Sequence, residues 1–213
     1  MNGNREKIER LSLIGGTLCL DFTNLVNWRD SPNPKDYMGD YGDLVHWSAH
    51  AGLLTQPQAA ELLLAASRQT TVAAGVFTKA RELRETIFRI FSAAAEGKDP
   101  SAQDLGTLNT FLSRSMEAAA FKKKGDGFVL SFGGGEGPDR MLAPIVWSAV
   151  ELLTSPDMKR VKVCSGDTCG WLFVDASKNR SRRWCEMKDC GNRAKARRHY
   201  QRIREKAAPE PER

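Results

Sequence analysis

Two matched cysteine pairs, Cys164-x4-Cys169 and Cys185-x4-Cys190, stand fifteen residues apart and constrain this chain more than any other feature of its sequence. The segment that holds them, residues 159–206, is only 48 residues long. A unit of that size buries too little apolar surface to stay folded on side-chain packing alone, so it needs a cross-link or a metal. Zinc takes four thiolates in a tetrahedron, and two short-spaced pairs on separate turns supply them with little loop strain. Disulfides, or reduced cysteines in an ordinary core, are the alternatives; paired short spacings in a reducing compartment point instead to metal. Ser165-Gly166-Asp167-Thr168 are turn formers that let the backbone wrap an ion, 171–174 reads as a strand, and a helix-forming run begins directly after Cys190. Knuckle, hairpin and helix in that order predict a small treble-clef-like finger built on one structural Zn2+. The fifth cysteine, Cys19, lies far away in an apolar run and is expected in the core.

Charge divides the chain at the same place. Residues 1–158 carry 16 basic and 19 acidic side chains, whereas 159–206 carry 15 basic and 5 acidic, a net +10. On a 100° helical wheel the terminal helix puts Ala196, Tyr200, Ile203 and Ala207 on one apolar stripe, expected to pack on Trp171, Phe173 or Trp184. Arg193, Arg197 and Arg204 flank the stripe, and Lys195, Arg198, Arg202 and Lys206 take the opposite face. A row of cations on a helix rooted in a metal site suits phosphate contact, and Arg180, Arg182 and Arg183 add cations on the preceding loop. A merely solvated basic face is the alternative. Gly191 allows a tight turn past the metal. Asn192 is a candidate to hydrogen-bond a thiolate or a nearby carbonyl, and Arg193 to reach a phosphate or to hold the finger together.

Residues 1–158 read as a mainly helical α+β domain. Strands are expected at 11–14 and around Leu18, Leu20 and Phe22, although Leu18, Phe22, Leu25 and Val26 also fit a helical period. Helices are expected over 44–54 and 58–68. The clearest element follows, where Val76, Ala80, Leu83, Ile87, Ile90, Phe91 and Ala94 recur at helical spacing with charges between them. Asp99-Pro100-Ser101 opens a further helix to about 117, a hairpin fits 122–132, and another helix begins near Leu142 with Pro144 in its first turn. Residues 207–213 are expected to be disordered.

Few other residues suggest chemistry. His46 and His50 would share a helix face, but no Glu follows His46 as a metalloprotease helix requires. Gly133-Gly134-Gly135-Glu136-Gly137 lacks the Lys-Ser or Lys-Thr of a phosphate loop and reads as a turn. Asp21 and Asn24 interrupt an apolar run, while Arg81 and Arg84 share a helix side. Together these four are the candidates for a small-molecule site, or for an internal ion pair between Asp21 and an arginine. No Ser-His-Asp set, nucleophile elbow or dinucleotide fingerprint is present, so no catalytic residue is assigned and a non-enzymatic role is expected. No run approaches the length of a membrane span, and residues 1–7 lack the apolar core of an export signal, which predicts a cytoplasmic protein.

The run Cys164-x4-Cys169…Arg182-Arg183-Trp184-Cys185-x4-Cys190-Gly191-Asn192-Arg193-Ala194-Lys195-Ala196-Arg197-Arg198 resembles the CGNR zinc-finger family of bacterial proteins. The segment Gly15-Gly16-x-Leu18-Cys19-Leu20-Asp21-Phe22-x-Asn24 is similar to the opening of the ABATE domain that precedes this finger. Members are described as stress-induced transcription regulators. The resemblance therefore implies DNA binding by the finger, sensing of a small effector or dimerisation by the body, and a four-cysteine structural zinc. Two other readings remain open on the residues themselves: an RNA-associated zinc-finger protein, or an enzyme-like small-molecule-binding body with a docking finger.

Overall fold

The computed structural model describes residues 2–117, 119–131 and 137–207. The expected turn at 133–136, the side chain of Lys206 and the segment 208–213 lie outside the described residues.

The body is organised around one long helix. Helix α1 (Asn2–Glu9) leads through an irregular stretch to α2 (Leu18–Thr23), a short ribbon of β1 (Val26–Asn27) and β2 (Lys35–Asp36), and then α3 (Tyr41–His50) and α4 (Gln56–Arg68). The spine is α5 (Thr70–Ala95), followed by α6 (Ala102–Glu117), the hairpin β3 (Ala120–Lys124) and β4 (Gly127–Ser131), and α7 (Leu142–Thr154). The apolar stripe of α5 is buried at Val76, Ala80, Leu83, Ile87, Ile90 and Phe91, and α2, α3, α6 and α7 pack around it.

Local chemistry sets the helix ends. Asp40 caps α3 by accepting from the Asp43 N–H, which starts that helix before the first residue of its apolar pattern. Thr55 and Gln58 form a reciprocal capping box on α4, with Pro57 in the first turn. At α6 the Ser101 hydroxyl accepts from the Asp104 N–H (3.0 Å). The predicted hairpin forms with Phe121 opposite Leu130 and Gly125 at φ +58° in its turn.

One sequence expectation fails here and one open reading is decided. Residues 11–14 form no strand, and the Leu18–Phe22 run takes its helical alternative. Its Cys19, Leu20, Phe22 and Thr23 are all buried, so it is enclosed on most sides and the apolar alternation carried no strand information. The charged helix α1 and the β1–β2 ribbon were not anticipated.

After a 3-10 turn at Pro156–Arg160, β5 (Val161–Val163) pairs antiparallel with β6 (Leu172–Val174), Val161 opposite Val174. A π-helical turn at Met187–Gly191 runs straight into α8 (Asn192–Ala207). The hairpin does not stand apart from the body. Val161, Leu172 and Val174 belong to the main core, whereas Phe173 joins the four cysteines in a second, smaller one.

The stripe on α8 is corrected. Tyr200 is 67% exposed and Ile203 50%, and Ala196 is exposed beside them. The intended acceptors are occupied: Phe173 is covered by the cysteines and by the Arg182 guanidinium, 4.3 Å from its ring centre, and Trp171 donates its indole N–H to the Val26 carbonyl (2.9 Å).

Candidate metal centre

The four sulfurs of Cys164, Cys169, Cys185 and Cys190 lie within 4.8 Å of one another, and all four residues are buried. Cys185 Sγ is 3.6 Å from both Cys169 Sγ and Cys190 Sγ. A tetrahedron with zinc–sulfur bonds of about 2.3 Å has edges of about 3.8 Å, so the spacing fits zinc. The electrostatics fit as well. Hydrogen bonds from the Cys169 and Cys185 thiols pull the Cys164 thiol down, the contact with Cys164 together with burial pushes Cys169 up, and the contacts with Cys164 and Cys169 together with burial push Cys185 up. Four thiolates cannot ionise together at this distance without a cation; a dication removes that conflict.

Backbone geometry aims the ligands. The Cys164 N–H donates to the Trp171 carbonyl (2.8 Å), the Ser165 N–H to Arg183 O (2.8 Å) and the Cys185 N–H to Cys164 Sγ (3.2 Å). Gly166 suits the first knuckle, since a Cβ there would lie 3.1 Å from Cys190 Sγ and the sulfur would have to shift by a few tenths of an ångström. Asn192 donates to the Lys188 carbonyl (3.1 Å) rather than to sulfur. Arg193 donates to Cys190 Sγ (3.1 Å) and pairs with Asp189 (3.2 Å), so it holds the last ligand in place.

Arg182, expected on the phosphate-facing surface, turns inward. It stacks on Phe173, donates through Nε to Trp184 O (3.0 Å), and donates through Nη2 to the carbonyls of Cys185 and Ile14. Its neighbours are fixed by Asp175, which is fully buried and accepts from Lys162 Nζ (2.6 Å), the Ser177 hydroxyl (2.6 Å) and the Arg182 N–H (3.0 Å). Burial alone would raise that carboxyl; the hydrogen bonds from Lys162 and Ser177 outweigh it and hold Asp175 well below the usual carboxylate range.

The remaining predicted cations divide into two groups. Lys195, Arg198 and Arg202 are exposed on α8 and make no ion pair among the described residues, and Arg180 and Arg183 are exposed on the loop. Arg197 is neutralised by Asp167 from the first knuckle.

Of the four residues grouped as a ligand site, Arg81 and Arg84 line one cleft, whereas Asp21 and Asn24 are not part of its lining. Asn24 is buried and serves as a junction: its Nδ2 donates to Leu172 O and its Oδ1 accepts from Leu172 N, both at 2.9 Å, so the side chain extends the edge of β6 like a strand. Asp21 meets no arginine; it accepts from the Gly15 N–H (2.8 Å), and burial pushes its carboxyl up to about 6. Arg84 is buried and holds Asp36 and Glu85, while Arg81 is exposed with its guanidinium 5.9 Å from the Phe77 ring centre. Arg29 and Glu85 complete that network and were missed, because nothing local marks a contact across 56 positions. His50 bonds the Leu11 carbonyl (2.8 Å), and Cys19 is a buried core thiol pushed up to about 11.

Three further contacts seat the metal centre on the body. The Val174 N–H donates to Gly15 O (2.8 Å), the Arg29 N–H donates to Cys169 O (3.2 Å), and Gly170 adopts φ +66° where a Cβ would come within 2.7 Å of Arg29 Cβ.

A mainly helical α+β body carrying a four-cysteine zinc finger, seated on it through a shared hairpin, is the class of protein that this fold and site define. Residues 16–156 match the ABATE family, described as "putative stress-induced transcription regulator", and 160–203 match the CGNR zinc finger. The chain belongs to the ABATE family and carries a CGNR zinc finger. No curated protein matches it. Among the described residues no helix is long and apolar enough to cross a membrane.

Proposed function

We propose that this protein is a cytoplasmic DNA-binding transcriptional regulator whose finger contacts phosphates and whose body senses a small molecule. The observation that carries the reading is α8. It is anchored at its first turn by the last zinc ligand and projects Lys195, Arg198 and Arg202 into solvent with no acidic side chain paired to them among the described residues. Each cation placed on a phosphate releases counterions, so affinity should fall steeply with salt. Arg183 and Arg180 extend the same positive surface; Arg182 and Arg193 act indirectly by holding the metal site. The body supplies sensing rather than catalysis, and pairing of two chains would match a two-fold symmetric operator.

The test is a salt titration of binding to pooled genomic DNA fragments with structured RNA as competitor. Charge reversal at Arg198 and Arg202 is expected to flatten the logarithmic salt slope by about 0.9 for each phosphate that the variant no longer neutralises. An unchanged slope would move the contact surface off α8. The exposed Tyr200 ring supports the RNA reading, since an exposed aromatic beside cations can stack on an unpaired base. Preference for the RNA competitor, abolished in Tyr200→Ala, would select it.

A further inference from the structure

We propose that the cleft between α5 and the β1–β2 ribbon binds a small zwitterion of the α-amino-acid type, and that its occupancy is the signal passed to the finger, a second step that rests on the regulatory reading above. The cleft encloses about 380 Å³, within the range of small-ligand sites, and opens to solvent. Its charges balance, with Arg29, Arg81 and Arg84 against Asp30, Asp36 and Glu85.

Four of these six charges satisfy one another. Arg84, 1% exposed, donates to both oxygens of Asp36 (2.7 and 2.6 Å) and through Nε to Glu85 (2.9 Å). Arg29 donates to Glu85 (2.7 Å) and to the Thr23 carbonyl (3.0 Å), with its guanidinium 3.9 Å from the Phe88 ring centre. Two opposite charges on the lining are left over, since neither Arg81 nor Asp30 makes an ion pair among the described residues, and both are exposed. One buried donor is also left over. The Arg29 side chain is only 10% exposed, yet its Nε has no hydrogen-bond partner among the described residues.

These leftovers select the ligand. A carboxylate would pair with Arg81. A plain anion entering here would meet the unpaired Asp30, and a plain cation would leave Arg81 unanswered. A molecule with both charges answers Arg81 and Asp30 together, and Phe88 and Val26 offer an apolar wall to its side chain.

The cleft also touches the metal centre. The Arg29 backbone N–H holds Cys169 O (3.2 Å), and Arg29 Cβ and the Asp30 carboxylate lie directly against Gly170 of the first knuckle. A ligand that fixes Arg29 and Asp30 therefore bears on the residues that seat the first zinc-ligand pair, and any difference in its affinity between two finger placements becomes coupling to nucleic-acid affinity.

The experiment is calorimetric titration of the full zinc-loaded chain with each standard α-amino acid, then with the deaminated and decarboxylated analogues of any that binds. At least one amino acid is expected to bind. Both analogues, and the exposed-site variants Arg81→Ala and Asp30→Asn, are each expected to weaken it about tenfold or more, the effect of removing one charge-assisted hydrogen bond. Absence of binding at millimolar concentration, an analogue that matches the parent, or binding that survives both substitutions overturns the site. Amino-acid binding that leaves nucleic-acid affinity unchanged overturns the signalling step. A chain that binds the amino acid but no nucleic acid leaves the site standing and removes the regulatory reading instead.

Discussion

Replacing Asn24 probes the joint between body and finger directly. Its amide makes two hydrogen bonds to the backbone of Leu172, both at 2.9 Å, and Leu172 is fully buried. In Asn24→Ala the N–H and the carbonyl of Leu172 lose their partners inside the protein. Each unsatisfied group costs about 1–3 kcal/mol, so a loss of about 2–6 kcal/mol is expected for the pair. Set against a typical total of about 5–15 kcal/mol, that is a large fraction of the fold's stability. Asn24→Asp sharpens the test. An ionised carboxylate at this position would still accept from the Leu172 N–H but would turn a second acceptor on the Leu172 carbonyl, whereas the protonated acid donates there. The folded state therefore prefers the protonated form, the introduced carboxyl is raised above its unfolded value, and the variant is most stable in acid and weakens as pH rises through the raised value. Urea unfolding with zinc saturating, followed by tryptophan fluorescence at pH 5 and pH 8, measures both effects as differences from the parent. An Asn24→Ala variant within about 0.5 kcal/mol of the parent, or an Asn24→Asp deficit that does not change with pH, would refute the reasoning.

Arg182→Ala should destabilise the protein by about 2–4 kcal/mol, because carbonyls of Trp184, Cys185 and Ile14 lose a charged donor, and Arg182→Lys should not restore it. Its nucleic-acid salt slope should stay near the parent's once zinc is saturating; a slope reduced like that of Arg198→Glu would return Arg182 to the contact surface. Cys164→Ser, or chelation of the parent, should remove zinc and with it an apparent contribution on the order of 10 kcal/mol to folding the finger, read as metal content by mass spectrometry beside far-ultraviolet circular dichroism. Full zinc content in that variant would overturn the ligand set. Asp21, with its carboxyl raised from 3.8 to about 6, stabilises the fold only when protonated, and that contribution is lost as pH rises through about 6. Asn there should accept from Gly15 without the charge, so Asp21→Asn should exceed the parent by about 1–3 kcal/mol at pH 7.5 and by little at pH 4, a gap measurable in the same urea series.

What could be read in advance was what is local and chemically unusual. Four cysteines at matched spacing leave few physical options, and the buried stripe of α5 repeats over enough turns to exclude a strand. The failures share a cause. Asn24 and Leu172 are 148 positions apart, and Arg84 and Asp36 are 48 apart, so no window of sequence contains either contact. Arg182 and Arg183 make the point at closer range. They are adjacent and chemically identical, yet one lies inward over Phe173 and the other is exposed beside Trp184. Which of the two turns inward depends on where Phe173 sits, and that is decided by the body.

Alternation along β6 explains why the finger and the body form one mechanical unit. In β6 the outer residues, Leu172 and Val174, pack into the main core, while Phe173 between them packs against the zinc ligands. Three consecutive residues thus form a wall with a different core on each side. A slip of one residue would send Phe173 into the helices and two aliphatic side chains into the cysteine cluster, so the register must be held firmly. It is held at both ends and in the middle: Gly15 O takes the Val174 N–H, Asn24 takes both polar groups of Leu172, and β5 pairs along the other edge. All of the body residues in that set come from the segment starting at Gly15 that also carries Arg29, the residue bonded to Cys169. One stretch, residues 15–29, therefore sets the register of the shared strand and the seat of the first knuckle. A change in that stretch cannot alter the packing of the helices without also displacing the base from which α8 projects.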